Sequence, residues 1–153
     1  MSDSLKIKKR KLPHWTQEGS VYFVTFRSKS TQFAVEERKL ILRHIIRGNN
    51  NYYTLIATVV MPDHVHILLV PQTNFSLSRI MKGIKGVTAK KINQCRNQKG
   101  SIWQAESYDR IIRDNDELIE KLQYMLNNPL KKGITKNPWT YSGWYIDNNF
   151  LTK

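Results

Sequence analysis

Two histidines one residue apart, His64 and His66, interrupt the otherwise apolar stretch Val59-Val60-Met61-Pro62-Asp63-His64-Val65-His66-Ile67-Leu68-Leu69-Val70. If this segment is a strand, both imidazoles point to one face while Val65, Ile67 and Leu69 point to the other. Rings placed in this way can chelate one divalent cation. A lone His-x-His pair is more commonly structural, so the motif needs support from elsewhere in the chain. Asp63 reads as a turn residue, since a strand would turn its side chain away from both histidines. Further along, Tyr124 and Asn128 stand four residues apart in a helical segment, on the side opposite the stripe Leu118, Leu122 and Met125. A tyrosine on a polar face with an amide oxygen one turn away is a candidate nucleophile beside a metal ligand. Glu120, one turn earlier, reads as a solvated helix charge.

These residues need elements to hold them. Ser20–Ser28 is rich in β-branched and aromatic residues and is predicted to be a strand. Val35–Ile46 has helical recurrence of Leu and Ile, stopped by Gly48 and three asparagines. Tyr52–Met61 and His64–Val70 form a hairpin across Pro62-Asp63, and Pro71 ends it. Ser76–Gln94 is a helix with Leu77, Ile80, Met81, Ile84 and Val87 inward, and with Arg79, Lys82, Lys90 and two glycines on its other side. Glu106–Arg113 is a fourth strand. Asp114 and Glu117 begin a last helix that Pro129 should close near Asn127. The order predicts an α+β, ferredoxin-like (RRM-like) domain, a four-stranded antiparallel sheet with helices on one face. Residues 1–18 read as a loose basic arm and 19–153 as one domain, with an aromatic tail packed back on it.

The chain has 25 Lys and Arg against 12 Asp and Glu, a net charge of +13. The excess is clustered: no carboxylate occurs between His64 and Ala105, where Arg79, Lys82, Lys85 and Lys90 fall. Such clustering favours a polyanionic partner over a merely soluble basic surface, because each phosphate neutralised releases counterions. The single cysteine, Cys95, rules out an internal disulfide framework and suits a reducing cytosol. No apolar run approaches the roughly 18 residues of a membrane span, and the charged N-terminus has no apolar segment behind it to act as a secretory signal.

The segments MPDHVHILL, SRIMKGIKG, IWQAESYDRIIRD and YMLNNPLKKGI together resemble the single-tyrosine transposases of the HUH class, and among them the REP-associated tyrosine transposases. The resemblance spans about Val21 to Trp144. It implies a metal-dependent endonuclease and strand transferase that acts on single-stranded DNA near palindromic hairpins through a 5′-phosphotyrosine. On that footing His64, His66 and Asn128 hold Mg²⁺ or Mn²⁺, and Tyr124 is the nucleophile. Arg79, Lys82, Lys85 and Lys90 contact phosphates, and Trp103 stacks on an unpaired base. Tyr108 and Tyr53 are weaker stacking candidates. The resemblance further implies a cytoplasmic, nucleoid-associated protein, with a homodimer possible. The competing reading is a non-catalytic module that holds hairpin DNA or RNA, with structural histidines. HIT-type nucleotide hydrolases fit poorly, since Leu68 stands where their third histidine would be. Two-histidine phosphodiesterases fit no better, since only one histidine pair exists.

Overall fold

The computed structural model describes residues 19–150; the basic arm at 1–18 lies outside them. The elements are β1 (Val21–Arg27), α1 (Val35–Arg47), β2 (Tyr53–Val60), β3 (His64–Pro71), α2 (Leu77–Arg96), β4 (Tyr108–Ile112), α3 (Asn115–Lys131) and β5 (Trp144–Ile146), with short 3-10 turns at Pro138–Thr140 and Asn148–Phe150. All strand pairs are antiparallel, in the order β4-β1-β3-β2-β5. The predicted class therefore holds with a fifth strand, because the aromatic tail pairs with β2.

Strand alternation sorts the core into two layers. Val24, Phe26, Val65, Ile67 and Leu69 face α1 and α2, which contribute Ile41, Ile45, Ile80, Ile84 and Ile92. Val21, Phe23, Val59 and Leu68 face the opposite way and are covered by Leu118, Leu122, Met125 and Leu126 of α3. The histidine face is thus covered by a helix, not open, and the helices do not all share one side of the sheet. The cause is the apolar residues that β1 and β2 put on both faces, which require burial on both sides.

Each helix begins with a local device. The Glu37 carboxylate accepts from Ala34 N–H, Ser76 Oγ accepts from Arg79 N–H at 3.1 Å, and Asp114 Oδ1 accepts from Glu117 N–H at 2.8 Å. Glu117 in turn accepts from Arg113 N–H, one residue before the cap. Pro129 does not close α3, which continues to Lys131. So near a helix end, proline removes one ladder bond without stopping the last turn.

Two side-chain features lead to predictions. Arg96 at the end of α2 donates to both carboxylate oxygens of Glu37, from Nε at 2.5 Å and Nη2 at 2.7 Å, and so fastens α2 to the start of α1. The Arg96 guanidinium holds the Glu37 carboxyl below its ordinary pKa. A depressed carboxylate contributes stability above its unfolded pKa and loses it as pH falls through the folded value. Arg96→Ala should therefore lower stability by about 1–3 kcal/mol at pH 7. Urea titrations should show that deficit shrinking below about pH 4.5. In α2, a Cβ added at Gly83 or Gly86 meets nothing within 4 Å. No packing demands glycine there, so Gly83→Ala and Gly86→Ala should each raise stability by about 1 kcal/mol.

Candidate active site at the junction of β1, β3 and α3

Register brings the sequence motifs together. β3 pairs His66 with Thr25 and His64 with Arg27 on β1. The two imidazole centroids lie 4.8 Å apart. Both rings are buried, at 5% and 3% exposure, and although β2 sets the aliphatic Val59 across from His66, each ring also has polar or aromatic neighbours. His64 Nδ1 lies 2.6 Å from the Asp63 carboxylate, and His66 Nδ1 lies 2.7 Å from Thr25 Oγ1. The His66 ring stacks on Phe23 at 5.3 Å, and the Tyr124 ring meets it edge-on at 5.4 Å.

The Asp63 carboxylate accepts from Nδ1–H, which fixes the His64 tautomer with its Nε2 lone pair free. For His66, a proton on Nδ1 leaves an unpartnered lone pair at Nε2 instead of an unpartnered N–H, which is the cheaper arrangement in a core. Burial pushes the His66 pKa down to about 3, helped by His64, Arg27 and Lys121. It also lowers that of His64, against the pull of Asp63. Both rings are therefore neutral at pH 7, the form that binds metals.

Asn128 comes from α3 and is 4% exposed. It flanks the apolar stripe of α3 and does not stand opposite it, which corrects the expectation. Among the described residues three buried side-chain atoms lack a hydrogen-bond partner: Arg38 Nε, His66 Nε2 and Asn128 Oδ1. Two of the three belong to this one site. A buried acceptor without a donor costs about 1–3 kcal/mol, and a bound cation would offset that. No three His, Cys, Asp or Glu side chains gather at metal-binding range among the described residues. A cation here would thus take two imidazoles and one amide oxygen from the chain, leaving coordination positions for water or phosphate oxygens. The residues fit such a group.

Tyr124 is 48% exposed and forms a ridge between two clefts. One, of about 240 Å³, also contains Arg27, Asp63, His64, Asn128 and Lys132. The other, of about 540 Å³, also contains Thr25, Arg27, His66, Tyr108 and Lys121. The phenol, both imidazoles and the amide therefore converge within one chain, flanked by cations. Thr25, Arg27 and Lys121 were not singled out from sequence. For Thr25 and Arg27 the signal is parity, since odd positions of β1 share the face of Phe23, and for Lys121 it is a place on α3 one turn before Tyr124.

The other expected DNA contacts separate. Trp103 is buried at 6% exposure, packed against Phe26 and Phe33, and its Nε1–H donates to Thr88 Oγ1 at 3.0 Å. It is a core residue and cannot receive a base, which corrects the expectation. Tyr53 is likewise buried, donating to Ile45 O, whereas Tyr108 is 59% exposed. Lys85 donates to Gln104 O and Ala105 O at 2.7 and 3.2 Å, so its ammonium ties a loop to α2. Lys82 and Lys90 are exposed. The Arg79 guanidinium lies 5.1 Å over the Phe75 ring. Glu120 is solvated, as expected.

A five-stranded antiparallel sheet that sets a histidine pair against a tyrosine helix belongs to a defined class. Residues 18–128 match the family model of IS200-like transposases, and the chain belongs to that family. It is similar to the REP-associated tyrosine transposase of Escherichia coli, with 24% identity over 139 residues that cover 88% of this chain and 81% of the relative. A Haemophilus influenzae protein assigned to the same group is 25% identical over 107 residues, 62% of this chain and 61% of that protein's length. In structure the fold matches a REP-associated tyrosine transposase bound to a REP hairpin, with TM-score 0.65, 20% identity, and coverage of 87% of this chain and 80% of that one. It also matches a transposase-family protein of Deinococcus radiodurans, with TM-score 0.51, 21% identity, and coverage of 76% and 95%. No helix among the described residues is long and apolar enough to cross a membrane.

Proposed function

We propose that the protein is a divalent-cation-dependent endonuclease and strand transferase for single-stranded DNA, cutting beside palindromic hairpins through Tyr124. The observation that carries the reading is the pair of buried, unpartnered acceptors, His66 Nε2 and Asn128 Oδ1, beside a half-exposed tyrosine. The hairpin preference is supported by the solved relative, whose DNA is a hairpin.

His64, His66 and Asn128 would hold Mg²⁺ or Mn²⁺, which when bound withdraws charge from the non-bridging oxygens of a phosphodiester. Asp63 and Thr25 keep the imidazoles oriented. Arg27, Lys121 and Lys132 supply positive charge around the phosphate. The Tyr124 oxygen attacks phosphorus, the bond from phosphorus to the 3′-oxygen breaks, and a 5′-phosphotyrosine forms. The phenolic proton is lost and the departing 3′-oxygen gains one, so the step is a balanced transesterification. Attack by another 3′-hydroxyl reverses it, and no nucleotide cofactor is consumed. The Tyr124 ring meets the His66 ring of its own chain at 5.4 Å, which supports attack within one protomer.

The test is incubation of the protein with hairpin-bearing single strands and Mn²⁺ or Mg²⁺, followed by denaturing electrophoresis and peptide mapping. A DNA adduct on Tyr124, absent with EDTA, is expected. An adduct on another residue would remove Tyr124 as the nucleophile, and binding with no adduct under any of these conditions would leave the non-catalytic hairpin-binding module in its place.

A further inference from the structure

Four clefts on the surface are joined by shared walls. The first, about 670 Å³ between α1 and α2, contains the cations Arg47, Arg79, Lys82 and Lys91 with Tyr52 and Phe75. No carboxylate lines it. The second, about 650 Å³, lies between α2 and residues 101–109, and shares Lys82 with the first. The third shares Gln104 and Ser107 with the second, and the fourth shares Arg27 and Tyr124 with the third. The series crosses from the α1–α2 side of the sheet to the Tyr124 side, passing over the 104–107 segment that precedes the edge strand β4.

We propose that these clefts form one continuous track for single-stranded DNA, leading from the α1–α2 cleft past Gly86 to Tyr124. The inference rests on the DNA-cleaving reading above and extends it to the path of the substrate. Charge follows the track. Lys85, Lys121, Arg27 and Lys132 carry the positive side onward, past Asp109, Glu106 and Asp63. Stacking surfaces occur along it. Tyr52 is 51% exposed in the first cleft, held edge-on to Phe75 at 5.2 Å, and Tyr108 is exposed in the third. Exposed aromatics beside cations suit unpaired bases and their phosphates, and the first cleft, with Tyr52, has no carboxylate in its lining.

The floor is shaped for close approach. Gly83 faces the first cleft and Gly86 the second, and the space where each would carry a side chain is open. Removing the side chain costs helix stability, and packing does not require it. A backbone passing close to α2 accounts for both glycines. Lys85 ties the 104–107 segment to α2, which fixes the crossing point between the two faces.

The test uses the full chain with Tyr124→Phe, so that binding is read without cutting. Fluorescein-labelled oligothymidylates of about 4 to 16 nucleotides, the range of comparable single-strand sites, are titrated by anisotropy. Affinity should rise with length across this range. Tyr52→Ala at the far end should weaken the longest strand roughly 5- to 100-fold, the worth of one stacked base. Gly86→Glu in the middle places a carboxylate in open space and should remove the advantage of long strands over short ones. Gly86→Ala, which adds only a methyl group to the same floor, should weaken the longest strand less than Gly86→Glu, and thermal unfolding of each variant checks that the fold is kept. Unchanged long-strand binding in either Tyr52→Ala or Gly86→Glu would overturn the track. The two readings fail separately. Adduct formation by the Tyr124 protein with insensitive length dependence leaves the nuclease standing without the track, and sensitive length dependence without any adduct does the reverse.

Discussion

Tyr124→Phe should abolish covalent attachment to DNA, lowering it by roughly 10⁴-fold or more, while the affinity for the same strand stays within about twofold. The reasoning is geometric. The phenyl ring keeps its edge contacts with His66 at 5.4 Å and Phe23 at 6.5 Å, so the ridge between the two clefts keeps its shape. The hydroxyl has no hydrogen-bond partner among the described residues, and the side chain is about half exposed. Its loss should shift folding stability by no more than about 0.5 kcal/mol. Only the attacking oxygen is removed, and among the described residues no other hydroxyl lines both the His66 cleft and the Asn128 cleft. The check is a paired measurement, with adducts read on denaturing gels and affinity by anisotropy. Residual adduct near the wild-type level would move the nucleophile to another residue.

How much of this arrangement could be read in the residues differs between fold and site. The helices and the β2–β3 hairpin follow from periodicity and punctuation, because those signals are local. Strand β5 did not announce itself, since three residues of Trp-Tyr-Ile are too short to alternate and pair only through the β2 edge. The placement of α3 on the histidine face was equally hidden. An apolar helical stripe says that a helix is buried, and does not say against which side of a sheet.

The site's donors were legible because their types are unusual for their surroundings: imidazoles within an apolar strand, and a phenol and amide one helical turn apart. What orients them was not. Thr25 is an ordinary strand residue until register sets it opposite His66, and register depends on contacts forty-one residues apart. Asp63 reads as a turn residue, and it does turn the chain, but its carboxylate also curls back to the neighbouring ring. Trp103 shows the opposite error. A tryptophan in a basic, polar segment looks available for stacking, while in the fold it fills the space between Phe26 and Phe33.

Asn128→Leu should make the cation-free protein more stable and inactive together. Asn128 is buried with its Oδ1 unpartnered, and leucine, with the same branched shape, removes that acceptor while joining Leu122, Met125 and Leu126 at the edge of the core. Removing the unmet acceptor should raise stability by about 1–3 kcal/mol, which for a domain of this size shifts Tm by about 2–4 °C per kcal/mol. In the wild-type protein, Mn²⁺ in excess of its Kd should raise Tm, because the cation binds only the folded chain. In Asn128→Leu that increment should be largely lost, and adduct formation with it. The opposite signs of the two effects separate a ligand from a structural amide. An asparagine that holds the helix in place would leave the cation-free protein less stable when replaced, and that result in thermal unfolding without added metal would remove Asn128 from the site.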